Sequence, residues 1–129
     1  MRLLLDTQVF LWLTMQSHRL TGQVRELLEN IENYVYLSAA SAWEIGIKCG
    51  LGKLSLPGDP MLFVPTCIKQ LGLNPMPVTI EHGLGVRSLP PHHSDPFDRL
   101  LAAQAQMEML TLVTADEILA EYPIRTLLV

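Results

Sequence analysis

The chain alternates short apolar runs with stretches of helical periodicity. Arg2 to Leu5 is apolar and stops at Asp6-Thr7, which predicts a buried strand running into a helix over Val9 to Met15. From Thr21, Val24, Leu27, Leu28 and Ile31 recur on one helical face, with Glu26, Glu29 and Glu32 on the other. Tyr34 to Leu37 is rich in β-formers and predicts a second strand; Ala39 to Cys49 follows as a helix stopped by Gly50 and Gly52. Asp59-Pro60 opens a further helix, made irregular early on by Pro65 and closed by Gly72. Pro75 to Val78 predicts a short strand, Thr79 to Ser88 a short helix, and the proline-flanked Pro90 to Pro96 a loop. A helix from Phe97, a strand at Leu110 to Val113, a helical turn at Ala115 to Glu121 and a terminal strand at Thr126 to Val129 complete the order.

Strands alternating with helices require right-handed crossovers. The pattern therefore predicts an α/β fold of three layers, a mostly parallel central sheet of about five strands with helices on both faces. Such sheets bind ligands beyond the carboxyl ends of their strands, where the strand order reverses. Asp6 and Asp116 each follow a predicted strand directly and would meet there, while Glu44 and Asp98 begin helices that lean over the same rim. Each acid also has a purely structural explanation. Asp6 and Asp116 suit helix N-caps, Ser41-Ala42-Trp43-Glu44 fits a capping box, and Asp95 or Asp98 would complement a helix dipole, Asp95 being the better cap. Four independent caps are nonetheless a poor account of four acids at successive strand-to-helix junctions. Partly desolvated anions held together need a cation, and oxygen donors without sulfur favour magnesium or manganese.

Composition narrows the setting. The 129 residues fit one domain, residues 1–129. Hydrophobic residues make up 49% and charged residues 17%, so some apolar surface is expected to meet a partner, a second copy or a bound protein. No apolar run approaches the ~20 residues of a membrane span, and Asp6 interrupts the first one too early for a signal core, which predicts a cytoplasmic protein. Cys49 and Cys67 lack zinc-site spacing and read as reduced core thiols. The net charge of -4 opposes a broad basic face for nucleic acid, but not a nuclease, because bound divalent ions reverse the local sign.

Leu4-Leu5-Asp6-Thr7, Ser38-Ala39-Ala40-Ser41-Ala42-Trp43-Glu44-Ile45, the run from Asp95-Pro96-Phe97-Asp98-Arg99 to Ala105, and Leu112-Val113-Thr114-Ala115-Asp116 together resemble the PIN-domain family, in particular toxins of the VapC type. The resemblance runs in order along essentially the whole chain. It implies a metal-dependent ribonuclease that hydrolyses RNA phosphodiester bonds and is restrained as a toxin by a cognate antitoxin. Asp6, Glu44, Asp98 and Asp116 would hold one or two magnesium or manganese ions, and Gln8 departs from the His or Ser common in the family two residues after the first Asp.

Around that set, the Thr7 and Thr114 hydroxyls and Asp95 are expected to support the carboxylates, and Lys48, Lys53 and Arg99 to contact substrate. Apolar surface on Val9 to Met15 and Ala39 to Ile47 would accept the partner. His92 and His93, in a proline-rich loop without zinc spacing, are read as non-ligands in a flexible segment, and Trp12 and Trp43 as packing residues. Two other readings stand beside the ribonuclease. One is a metal phosphoesterase for DNA or small esters; the other is a non-catalytic binding module whose acids are caps.

Overall fold

The computed structural model describes residues 1–129. Its elements are β1 (Arg2–Leu5), α1 (Thr7–Met15), α2 (Gly22–Glu29), β2 (Tyr34–Ser38), α3 (Ala39–Gly50), α4 (Pro60–Gln70), β3 (Asn74–Met76), α5 (Ile80–Gly85), α6 (Pro96–Glu108), β4 (Thr111–Thr114) and β5 (Arg125–Leu128). All strand pairs are parallel and the order is β3-β2-β1-β4-β5. The predicted three-layer α/β architecture is thus present, and the order reverses between β1 and β4. That places the ends of these two strands at the position where such sheets take ligands.

Strand periodicity explains why the core divides in two. On β1, Leu3 and Leu5 pack with Val9, Phe10, Leu37, Ile45 and Val113 on one face of the sheet. Leu4 points the other way, into Leu101, Ala102, Leu112 and Leu119. All three β1 leucines are fully buried, so each contributes on the order of 2 kcal/mol from burial alone. This anchors β1 in the centre and fixes where Asp6 emerges.

Several local expectations change in the structure. Helix α2 ends at Glu29 because the Asn30 side chain accepts the Glu32 amide and Asn33 closes a turn onto Asn30, leaving Ile31 98% exposed. Helix α4 continues through Pro65, which is exposed, and the carbonyl that loses its usual donor belongs to Met61, on the exposed first turn. Pro75 is tolerated because β3 is an edge strand. The segment after β4 forms only the 3₁₀ turn Leu119–Glu121. No helix is long and apolar enough to cross a membrane.

Helix α1 is largely internal, with Val9, Phe10, Leu11 and Leu13 buried, so it does not offer the broad apolar docking face expected of it. Exposed apolar side chains lie on or just after α3 and on α4 and α5 instead: Trp43, Leu51, Met61, Leu62, Ile80 and Leu84. Trp43 is not a core residue. It is 62% exposed and meets Phe97 edge to face, with ring centres 5.2 Å apart.

Candidate active site

Each acid is carried by an element whose local chemistry fixes its position. Asp6 caps α1 through Oδ1, which accepts the Val9 amide at 2.9 Å, so its capping role is real. Its Oδ2 accepts the hydroxyl of Thr114 at the end of β4, and the same hydroxyl oxygen accepts the Asp116 amide at 3.0 Å. Thr114 thereby ties the ends of β1 and β4 together across the switch point. Burial raises the pKa of Asp6, against the lowering effect of the bonds from Thr114, Val9 and Gln8.

Glu44 lies one and a half turns into α3. The cap of that helix is Ser38, whose Oγ accepts the Ala40 amide, so the Ser41–Glu44 capping box does not form. Ser41 instead accepts the Thr7 hydroxyl at 2.9 Å, which links α3 to α1; Thr7 makes no bond to a site carboxylate. Freed from capping, Glu44 points into the site at 6% exposure. Its Oε2 is 2.6 Å from Lys48 Nζ, while Oε1 is buried without a partner. The hydrogen bond that Lys48 donates to Glu44 is the largest effect on the lysine and raises its pKa.

Asp95 caps α6, its Oδ1 accepting the Phe97 and Asp98 amides at 2.8 and 3.2 Å. Asp98, in the first turn, is left free to face the cleft. Burial first, then the negative charges of Asp95, Asp6 and Glu44, push its pKa up to about 7, against an opposing contribution from His93. Asp116 follows β4 and turns its Oδ1 to the Ile118 amide at 2.9 Å.

These side chains line one cleft of about 330 Å³, together with Thr7, Gln8, Leu11, Lys48 and Ala115. The five carboxylates there face a single lysine. That donor set suits a hard divalent cation: it is oxygen-rich, contains no cysteine, and keeps one Glu44 oxygen buried with nothing bound to it. Without a cation, Asp98 retains its proton to near neutrality, as expected for a surplus of desolvated anions.

His93, read from the sequence as a non-ligand in a flexible loop, lies against the acids. Its Nε2 is 2.8 Å from Asp116 Oδ2 and 3.2 Å from Asp98 Oδ2, and the donor atoms of the three residues lie within 4.8 Å of one another. A clue was present in the sequence: a loop feeding a helix that carries site residues must itself border the site. The loop is also tethered rather than loose, since the His93 amide donates to the Tyr122 hydroxyl at 2.9 Å. His92 packs edge-on against the same ring. Arg99 has a different partner set from the expected substrate. Its guanidinium donates to the Pro90 and Val86 carbonyls at 2.9 and 3.1 Å and to the Tyr122 hydroxyl at 3.2 Å, pinning the loop. Lys53 follows α3, its amide bonded to the Lys48 carbonyl, outside the cleft lining.

The chain is similar to known proteins in sequence and in fold. The PIN domain family model matches residues 3–124. A 61-residue stretch is 38% identical to Ribonuclease VapC16 of Mycobacterium tuberculosis, spanning 47% of this chain and 43% of that protein. The fold is similar to that of VapBC2 from Rickettsia felis, solved bound to a promoter DNA fragment, at TM-score 0.75 and 17% identity over 98% of each chain. It is also similar to FitAcB from Neisseria gonorrhoeae, at TM-score 0.60 and 25% identity over 96% of this chain and 95% of that one.

Proposed function

The chain belongs to the PIN domain family, and from that premise we propose that it is a metal-dependent endoribonuclease serving as the toxin of a toxin–antitoxin pair. The observation that carries this reading is the convergence of Asp6, Glu44, Asp98 and Asp116 on one cleft at the switch point, with the Glu44 Oε1 buried and unpartnered. The likeness to Ribonuclease VapC16 supports the choice of RNA as substrate. The likenesses to VapBC2 and FitAcB support an antitoxin partner.

In this reading Asp6, Asp98, Asp116 and Glu44 hold magnesium or manganese. Such an ion supplies a bound water of lowered pKa and offsets charge at the phosphodiester. The residues of the chain do the rest. Thr114 and the α1 amide orient Asp6, Asp95 fixes the first turn that presents Asp98, and burial of Glu44 keeps bulk water from that wall of the cleft. Lys48, about half exposed at the rim, is the group we assign to a substrate phosphate, with Lys53, in the turn after α3, as a second candidate. Arg99 has its donors committed to the loop and is not assigned to substrate. The exposed apolar side chains of α3, α4 and α5 are the surfaces we assign to self-association and to the antitoxin, whose basic side chain would block the acidic cleft.

The test is cleavage of a structured RNA pool by wild type and by Asp6→Asn, each with magnesium, manganese or EDTA. Metal-dependent cutting by wild type alone is the expected result. Equal cutting by both proteins, or preference for DNA or a chromogenic phosphate ester over RNA, would overturn the ribonuclease reading.

A further inference from the structure

His93 lies against Asp98 and Asp116 without belonging to the carboxylate set, and its environment fixes what its ring nitrogens can do. Its backbone amide is held by Tyr122, and Arg99 clamps the preceding loop at Pro90. The Asp95 amide donates to Nδ1 at 3.1 Å. A nitrogen that accepts an N–H carries no hydrogen, so the ring proton sits on Nε2. From there it is donated to Asp116 Oδ2 at 2.8 Å, with Asp98 Oδ2 3.2 Å from the same nitrogen. A protonated nitrogen has no lone pair to give a metal.

We propose that His93 is a positioning residue and not a ligand: its Nε2–H holds Asp116 by a hydrogen bond and sits against Asp98, keeping the two carboxylates side by side, so that the site offers a cation oxygen donors only. The proposal rests on the reading of these acids as an ion site, which the buried, unpartnered Glu44 Oε1 supports independently of His93. The competing arrangement is direct ligation by Nε2, which the 4.8 Å grouping of His93, Asp98 and Asp116 would also accommodate. For Nε2 to ligate, its proton would have to move to Nδ1. The Asp95 amide would then face another N–H and lose its acceptor, at the entry to the very helix that presents Asp98. An oxygen-only set selects magnesium or manganese, whereas an imidazole donor would favour zinc, nickel or copper.

Two measurements on the full chain test this. In the metal-free protein, long-range ¹H–¹⁵N spectra should show the Nε2–H tautomer of His93; the Nδ1–H tautomer would overturn the proposal. With Mn²⁺ added, pulsed electron paramagnetic resonance of wild type should show no directly bound nitrogen, and a nitrogen coupling abolished in His93→Gln would refute it. His93→Gln retains an N–H donor and should bind Mn²⁺ within about 3-fold of wild type, while His93→Ala should bind it at least ~10-fold more weakly. Failure of wild type to bind Mn²⁺ at all would overturn the ion-site reading itself, whichever tautomer His93 holds.

Discussion

Replacing Asp98 with Asn should stabilise the metal-free protein while removing its response to metal. The folded pKa of Asp98 is about 7, against 3.8 without the fold, so the proton is bound more tightly by the native state. Stability from that proton is complete below 3.8 and is lost as pH rises through about 7. At pH 8 wild type therefore carries the full cost of an ionised, crowded carboxylate, and Asn, neutral at every pH, does not. At 1.36 kcal/mol per pH step, the interval from 3.8 to about 7 sets a ceiling of roughly 4 kcal/mol. The side chain is 23% exposed, so solvent screening reduces this to about 1.5 kcal/mol. For a chain of this size that corresponds to a rise in Tm of roughly 5 °C. The 3.2 Å contact from His93 survives, because Asn keeps an acceptor oxygen. The assay is thermal unfolding followed by circular dichroism in EDTA at pH 5 and pH 8, repeated with excess Mn²⁺ at pH 8. The advantage of the variant should fall to less than half at pH 5, and Mn²⁺ should raise Tm of wild type far more than that of the variant. A variant less stable than wild type at pH 8, or equally favoured at both pH values, would refute the account of crowded anions.

Thr114→Val removes the donor to Asp6 and the acceptor of the Asp116 amide, and should cost about 2 kcal/mol in urea denaturation and about 10-fold in Mn²⁺ affinity; wild-type values for both would show that the hydroxyl does not organise the site. Lys48→Met, placed in an Asp6→Asn background to prevent cleavage, should weaken RNA binding by fluorescence anisotropy and make its log–log salt dependence shallower by about 0.7, an unchanged slope excluding a phosphate contact. Arg99→Lys keeps the charge but loses the fork that reaches Pro90, Val86 and Tyr122, so its Tm should drop by the equivalent of about 1–2 kcal/mol. Met109, the exposed left-handed residue that ends α6 at φ 57, should give about 0.5 kcal/mol of stabilisation when replaced by Gly, measured as a higher urea midpoint.

The strand-to-helix alternation, and with it the parallel three-layer sheet, could be read from local pattern because both depend on side-chain period and on short breakers such as Asp6, Gly50 and Pro96. The grouping of the acids followed by one further step, since parallel strands all end on the same side. Which structural role each acid kept was a different matter. Asp6 remains a cap while also facing the cleft, Asp95 is a cap, and Glu44 is released only because Ser38 rather than Ser41 starts the helix. The predicted start at Ala39 was already compatible with Ser38 as the cap; the competing Ser41–Glu44 capping box was ruled out only by the bond from the Ala40 amide to Ser38 Oγ.

Sequence alone determined the order of elements, the layered architecture and the residue types gathered at the carboxyl ends of β1 and β4. Only the tertiary structure decided that Trp43 lies on the surface, that Arg99 clamps a loop, and that His93 closes over Asp98 and Asp116. The reason is physical. Periodicity reports which face of an element meets the core, but the partner of a polar side chain on a loop or helix start depends on contacts between residues far apart in the chain, as His93 is from Asp116 and Asp6 from Thr114.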